Sequence, residues 1–533
     1  MVDYEVVIVG GGMAGLTAAA FLCQAGRKVL LCEKEANVGG LVNSFDYHGF
    51  TFDGGIRAIE NSGIVKPMLR QLGIEVPFIR NSVSIGIGHD VINLKSKDSL
   101  KDYLRLLREQ FPENGRDIEQ FGLEIKKIMH YMDVLYGIDN PMFMDLKKDW
   151  RYIMKTLLPW LFKYLATSPK ISRLDKPVVG YLKKISGNQA LIDMIAQHFF
   201  KDTPTFFALS YFSLYLDYEY PQGGTGILVE KMKEYILAHH GEIKCETEIC
   251  RLDAALNQVH DSQGNMYHYQ KLIWAADMKR LYQVTDSGLI YDKEVRQAVL
   301  SQKNAIADKA GCDSVLTLYL TLDMDKQYFT RIANAHFFYT PFKTGLSSLN
   351  SDALLMHGDK AYSEDRRVIE EWLGQYYRLT TFEISCPVMR DEHLAPEGKT
   401  GLIISTLFDY PLVSHIAGMG WYDAFKEFTA NAIIDVLDES IYPGLKEKVT
   451  NHFVSTPLSL KKKTGNTDGA LTGWAFTNSS IPVVHSIPGI AKSVLTPIPN
   501  AYQAGHWVYS PSGLPISILT GKIAADQVLK KLN

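Results

Sequence analysis

Residues 10–15 read Gly10-Gly11-Gly12-Met13-Ala14-Gly15, three glycines at the spacing G-x-G-x-x-G. The spacing works through what it leaves out. Gly10 permits a tight turn, Gly12 lets a pyrophosphate approach the main chain, and Gly15 lets a helix lie close on the preceding strand; the free N–H groups of the helix start then bind phosphate. Met13 and Ala14 open that helix and share the site. Farther on, Glu33 and its neighbour Lys34 stand where an acid can accept from ribose hydroxyls and disfavour a 2′-phosphate. A glycine turn without a nucleotide is the competing reading, and the flanking elements weigh against it.

Those elements form a βαβ unit. Residues 5–9 are a β-branched run expected as a buried parallel strand, Met13 to Gln24 an apolar helix ended by Gly26, and 28–32 a second strand. The middle, 100–216, carries long amphipathic patterns and reads as a helical cap. A helix over 227–239 follows, with strands over 243–252 and 270–275. Runs over 315–322, 335–340 and 401–407 suggest a mainly antiparallel sheet. After Ala501 come a short strand, a glycine turn and a final helix. Without repeats or linkers, the domains are expected to interleave.

The chain has 533 residues, 46% hydrophobic and 22% charged, enough for two domains with sizeable cores. A formal charge of −3 without a basic block gives no reason to expect nucleic acid. The six cysteines are scattered and read as reduced, and no metal-ligand spacing occurs. Acidic Asp3 and Glu5 and the short apolar run after them argue against a secretory signal, and no run reaches the length of a membrane span. The expectation is a cytoplasmic protein, at most peripheral at the inner face of a membrane.

Beyond Glu33 the pattern extends to Val38-Gly39-Gly40-Leu41 and to Gly49-Phe50-Thr51-Phe52-Asp53-Gly54-Gly55. Tyr220-Pro221-Gln222-Gly223-Gly224, residues 246–252 and Ile273-Trp274-Ala275-Ala276-Asp277 continue it, then Ala395-Pro396-Glu397-Gly398, Thr456-Pro457-Leu458 and Thr464-Gly465-Asn466. At the end stand Ala504-Gly505-His506-Trp507 and Ser512-Gly513-Leu514-Pro515. In this order the segments resemble the phytoene desaturase, carotenoid isomerase and retinol saturase group of FAD-dependent oxidoreductases, within the amine-oxidase-like flavoproteins. Ser512 departs from that pattern, where glycine is usual, and so does Gly55-Ile56-Arg57.

The resemblance implies an α/β protein: a Rossmann-type FAD-binding domain (1–80, 220–310 and 480–533) interleaved with a mainly antiparallel substrate domain and helical cap (81–219 and 311–479). It implies one FAD held by Gly10, Gly12, Met13, Ala14, Gly15, Glu33 and Lys34 at the dinucleotide end. Gly39, Gly40, Leu41, Gly54, Gly55, Ile56 and Arg57 would follow the cofactor toward the flavin, Glu248, Ile249 and Ala276 would flank the adenine, and Gly505, His506, Gly513, Leu514 and Pro515 would meet the isoalloxazine. The implied chemistry is desaturation, saturation or isomerisation of a C–C or C=C bond in a polyene, retinoid-like, steroid-like or fatty-acyl substrate. The electron donor or acceptor stays open.

Arg57 and Glu60 follow the Gly54-Gly55 turn and are the candidates to line the reacting end. Arg57 would anchor a substrate carboxylate or pair with Glu60, two readings of equal weight. In 148–165, Trp150, Ile153, Met154, Leu157, Leu158, Leu161, Phe162 and Leu165 share one helical face opposite Lys148, Arg151, Lys155 and Lys163. That is the pattern of an interfacial anchor, and equally of a cap helix burying its stripe with Pro159 kinking it. Two alternatives of different class remain: a flavin amine or amino-acid oxidase, and a non-catalytic prenyl- or lipid-binding escort on the same fold.

Overall fold

Val2–Val9 is the strand around which the first sheet is built. It pairs in parallel with Val29–Cys32 on one side and Met266–Trp274 on the other, so its branched apolar side chains are covered on both faces. The crossover helix Met13–Gln24 is buried from Met13 to Cys23. It lies so close that a Cβ on Gly15 would meet the Gly10 carbonyl oxygen at 2.0 Å. Outward, Glu242–Lys244 joins Val29–Cys32, and Ala501–Gln503 and Gln258–Asp261 join Met266–Trp274. The last helix, Leu514–Leu532, packs along Met13–Gln24, where a Cβ on Gly521 would strike the Ala14 carbonyl oxygen at 2.4 Å.

The computed structural model describes residues 2–144, 150–355, 361–485 and 489–532. One expected strand is two. Glu246 takes a left-handed conformation (φ 51°) and turns the chain, so that Glu242–Lys244 and Ile249–Asp253 lie on opposite edges of the first sheet.

The second sheet runs in the order Val449–Ser455, Ser314–Leu322, Thr400–Phe408, Phe382–Ser385, His336–Thr340, Val83–Ile87, Asp90–Leu94. Its one parallel pair is His336–Thr340 with Val83–Ile87. Helices Arg366–Leu379 and Tyr422–Ser440 bury Ile369, Leu373, Tyr377, Phe425 and Ile433 into its core. A three-stranded sheet of Ile59–Glu60, Tyr218–Pro221 and Phe78–Arg80 joins the two halves of the molecule, a long-range pairing that local pattern does not announce.

The cap is helical: Leu100–Gln110, Gly115–Leu135, Leu158–Ser172, Gln189–Ala196 and Thr205–Leu214. Before Leu158–Ser172 the chain runs through Trp150–Tyr152 and a π-helical turn, Ile153–Leu157. Pro159, lacking an N–H and crowding the turn before it, accounts for the widening. Tyr164 packs inward, but Trp150, Met154, Leu158, Leu161, Phe162 and Leu165 stay exposed, Phe162 at 68%. Core packing of the stripe is therefore corrected: most of it faces outward, with Arg151, Lys155 and Lys163 also exposed. Lys148 lies outside the described residues.

Candidate cofactor and substrate site

A cleft of about 970 Å³ opens at the carboxyl end of the first sheet, in the size range of small-molecule sites. Its floor is the start of helix Met13–Gln24. Gly12 caps that helix with no side-chain hydrogen bond and no acid in the first turn, so the leading N–H groups face the cleft free. A Cβ on Gly12 would meet nothing within 4 Å and would project into this space. The second glycine pair is tied on by Gly39 N donating to the Gly11 carbonyl at 2.8 Å. Glu33 braces the turn, its Oε2 accepting from Gly11 N at 2.7 Å and its Oε1 from Glu35 N at 2.9 Å.

Of the residues expected at the cofactor, Gly10, Gly12, Met13, Ala14, Glu33, Lys34, Gly39, Gly40, Leu41, Ile56, Glu248, Ile249, Ala276, Gly505, His506, Gly513 and Leu514 line the cleft together. Gly15, Gly54, Gly55, Arg57 and Pro515 do not. Gly15 serves helix packing. Gly54 and Gly55 make room for the loop that carries Leu41, because a Cβ on either would meet Asn43 Oδ1 at 2.1 Å or the Leu41 carbonyl at 1.9 Å. Pro515 sits in the first turn of the last helix and packs inward.

Residues outside the expected set also reach the cleft, some from distant parts of the chain. Asn43, Ser44, Phe45, Arg280, Asn466 and Thr472 line the cleft, and so do Lys461, Lys462 and Lys463. Burial lowers the pKa of Lys463, whose Nζ reaches Asn43 Oδ1 at 3.3 Å. The run of three lysines before Thr464-Gly465-Asn466 was a visible signal for an anionic ligand.

The architecture fits a dinucleotide. An uncapped helix start and nearby lysines suit a pyrophosphate. At the opposite end His506 Nε2, and near it in the chain Ser512 Oγ, are buried polar atoms with no partner among the described residues, as atoms awaiting a polar ring would be. Burial also pushes the His506 pKa down to about 4 and keeps its imidazole neutral.

Asp53 fastens the wall of the cleft to strand Tyr218–Pro221 and to the start of helix Gly226–Ala238. Its buried carboxylate accepts from Tyr220 Oη at 2.8 Å, Thr225 N at 2.9 Å, Thr225 Oγ1 at 2.9 Å and Ser44 Oγ at 3.0 Å. Arg57 does not pair with Glu60. Its guanidinium turns into the second sheet, donating to the Asp53 carbonyl at 3.1 Å, to the Gly55 carbonyl and to Ser405 Oγ at 3.1 Å, because the short turn after Gly55 points it back over its own backbone. With 5% exposure it is a brace for this turn and is not a wall of the cleft.

A cluster of rings lies between the cap and the second sheet. Tyr215 stands 5.6 Å from Tyr211, 5.6 Å from Tyr218 and 4.8 Å from Phe338, while His336 lies 5.4 Å from Tyr218. Glu383 Oε1 contacts His336 Nε2 at 3.0 Å and keeps 36% of its side chain exposed. Burial would raise its pKa, but His336, Arg57 and Arg390 hold it below the ordinary value. Arg390 stacks on Tyr220 at 4.5 Å and donates to Asn81 Oδ1 and Ser385 Oγ. Aromatic walls with a charge-balanced polar end suit an elongated apolar molecule.

Comparison with known proteins agrees with this geometry. Residues 8–72 match the model of an NAD(P)-binding Rossmann-like domain. Over 99% of its length the chain is 25% identical to a Danio rerio protein named inactive all-trans-retinol 13,14-reductase, covering 86% of it. It is 21% identical to a Staphylococcus aureus (strain COL) 4,4'-diapophytoene desaturase, covering 99% of each chain. A solved putrescine oxidase redesigned at its cofactor site superposes with a TM-score of 0.59 at 11% identity over 99% of both chains, which establishes the fold. The resemblance read from the motifs thus extends along the whole chain, which is similar in sequence to proteins named as a desaturase and as a retinol reductase and shares its fold with the putrescine oxidase.

Proposed function

We propose that the chain holds one FAD in the cleft and acts on a C–C or C=C bond of a large apolar substrate, by desaturation, saturation or isomerisation. The observation that carries the reading is the free helix start at Gly12, in a cleft whose lining also includes His506, a buried side chain with no hydrogen-bond partner for its Nε2 among the described residues. Gly12, Gly39, Gly40 and the lysines would hold the pyrophosphate, Glu33 the ribose, and Gly505, His506, Gly513 and Leu514 the flavin. When bound, FAD supplies hydride exchange. The protein's part is to hold the substrate against the ring cluster and keep water out. The proposed FAD-binding unit, 1–80, 220–310 and 480–533, would be built around the first sheet.

Purified protein is expected to be yellow, with one FAD per chain. Titration with all-trans-retinol or 4,4'-diapophytoene should bleach the oxidised flavin or reoxidise the dithionite-reduced one. Colourless protein that stays colourless after incubation with FAD overturns the reading. The amine-oxidase alternative finds its best support in Glu383 among the rings, but Arg57 and Arg390 beside it offset the charge an ammonium would need.

We further propose that the outward face of Trp150, Met154, Leu158, Leu161, Phe162 and Leu165 docks on an anionic membrane surface. No described helix is long and apolar enough to cross a membrane, so contact would be peripheral. Changing Arg151, Lys155 and Lys163 to Gln should weaken binding to phosphatidylserine vesicles, each cation contributing about 1 kcal/mol near such a surface. Phe162→Ser should weaken it at every salt concentration. Sedimentation with vesicles reads both, and unchanged binding removes this face from consideration.

A further inference from the structure

The carboxyl of Glu60 is a titratable group that the cofactor cleft does not use. It sits on the two-residue strand Ile59–Glu60, held antiparallel to Tyr218–Pro221. Its Oε1 lies 4.0 Å from where a side chain on Gly513 would begin, and Gly513 lines the cleft at the start of the last helix. Among the described residues no hydrogen bond or ion pair reaches this carboxyl. It keeps part of its surface accessible although it lies deep in the protein, as a group lining an internal recess does.

The groups facing it come from every side. Asp217 precedes strand Tyr218–Pro221, Tyr218 belongs to it, Tyr211 comes from helix Thr205–Leu214, and Tyr136 follows helix Gly115–Leu135. No cation among the described residues balances it. Burial, and then Asp217, push its pKa up to about 7. A structural carboxyl at such depth is paired with a cation or with several N–H donors; one left bare beside a cofactor cleft can exchange a proton near neutral pH.

We propose that Glu60 gives a proton to, or takes one from, the substrate carbon adjacent to the carbon that exchanges hydride with the flavin. The assignment rests on the FAD reading above. In saturation, hydride from the reduced flavin forms one C–H bond, the π pair takes the Glu60 proton to form the second, and Glu60 is left as carboxylate. Desaturation reverses each transfer: carboxylate Glu60 removes the proton, the C–H pair becomes the π bond, and hydride leaves to the oxidised flavin. Saturation therefore needs Glu60 protonated and slows as pH rises through about 7, whereas desaturation needs it ionised and slows as pH falls through the same value.

The test uses FAD-loaded wild type, E60Q and E60D. Infrared difference spectra between acid and alkaline buffer should show a carboxylic-acid C=O band that fades near pH 7 in wild type and is missing from E60Q. With all-trans-retinol and 4,4'-diapophytoene as probes, E60Q should lower kcat by about 10²- to 10⁴-fold with little change in KM, and abolish the pH 7 limb; E60D should restore part of both. Wild type and E60Q with one infrared difference spectrum overturn the proposal, even if E60Q is the only variant that folds. So does equal turnover with equal pH dependence. If neither probe turns over, a Glu60 band that titrates at the pKa of an ordinary carboxyl still overturns it. Protein that takes up no FAD fails earlier and shows that the cofactor reading was at fault.

Discussion

Gly12→Val should give a folded protein that binds no FAD. The Cβ of residue 12 points into empty cleft, so the substitution leaves the packing of Met13–Gln24 untouched and fills the place of the pyrophosphate. Affinity should fall at least about 100-fold, a loss near 2.7 kcal/mol, so the FAD-dependent rise in Tm should vanish while the melting of cofactor-free protein is unchanged. Gly15→Val makes the contrast. There a Cβ meets the Gly10 carbonyl at 2.0 Å, and the expected result is loss of folding, with cofactor loss only as a consequence. Circular dichroism with flavin absorbance separates the two outcomes. A yellow Gly12→Val protein would mean that the cofactor lies elsewhere.

Asp53→Ala should cost about 3–5 kcal/mol of stability, because it strips the acceptor from four donors at once, three of them buried. Tyr220 Oη, Thr225 N, Thr225 Oγ1 and Ser44 Oγ all end on this carboxylate. Ser44 and its neighbour Phe45 line the cofactor cleft, so FAD should also be held more loosely. Denaturant melts of cofactor-free protein read the first effect, and FAD titration the second. Asp53→Asn should be milder, since one carbonyl oxygen can still accept. A loss under about 1 kcal/mol, the worth of one ordinary hydrogen bond, would show that the network does not hold the cleft wall to strand Tyr218–Pro221.

The dinucleotide end was legible because its determinants are local. Gly10, Gly12, Gly15 and Glu33 lie within one βαβ unit, and the chemistry of each follows from its neighbours in the chain. Arg57 was misread for the opposite reason: its partner Ser405 belongs to a strand of the second sheet, and two of its acceptors are main-chain carbonyls that carry no residue signature. Glu60 was noticed, but its nearness to Gly513 depends on folding the far end of the chain over the beginning. The stripe in Leu158–Ser172 was readable as amphipathic. Whether a stripe is covered depends on what packs over it, and that is tertiary information. The break at Glu246 went unseen because a left-handed residue in a polar run leaves no gap in β-propensity.

The first sheet places Val2–Val9 next to Met266–Trp274, and that strand in turn next to Ala501–Gln503. Helix Met13–Gln24 is then sealed by Leu514–Leu532. During translation the opening glycine turn leaves the ribosome with neither of those partners made, so its apolar helix must wait exposed until the last segment emerges. Contacts this distant in sequence form slowly and leave such intermediates open to aggregation. Capture of the proposed flavin would thus wait for residues 501–532 to fold onto the first sheet, and the yield of active protein in a cell should depend on chaperone supply and on free FAD at that stage.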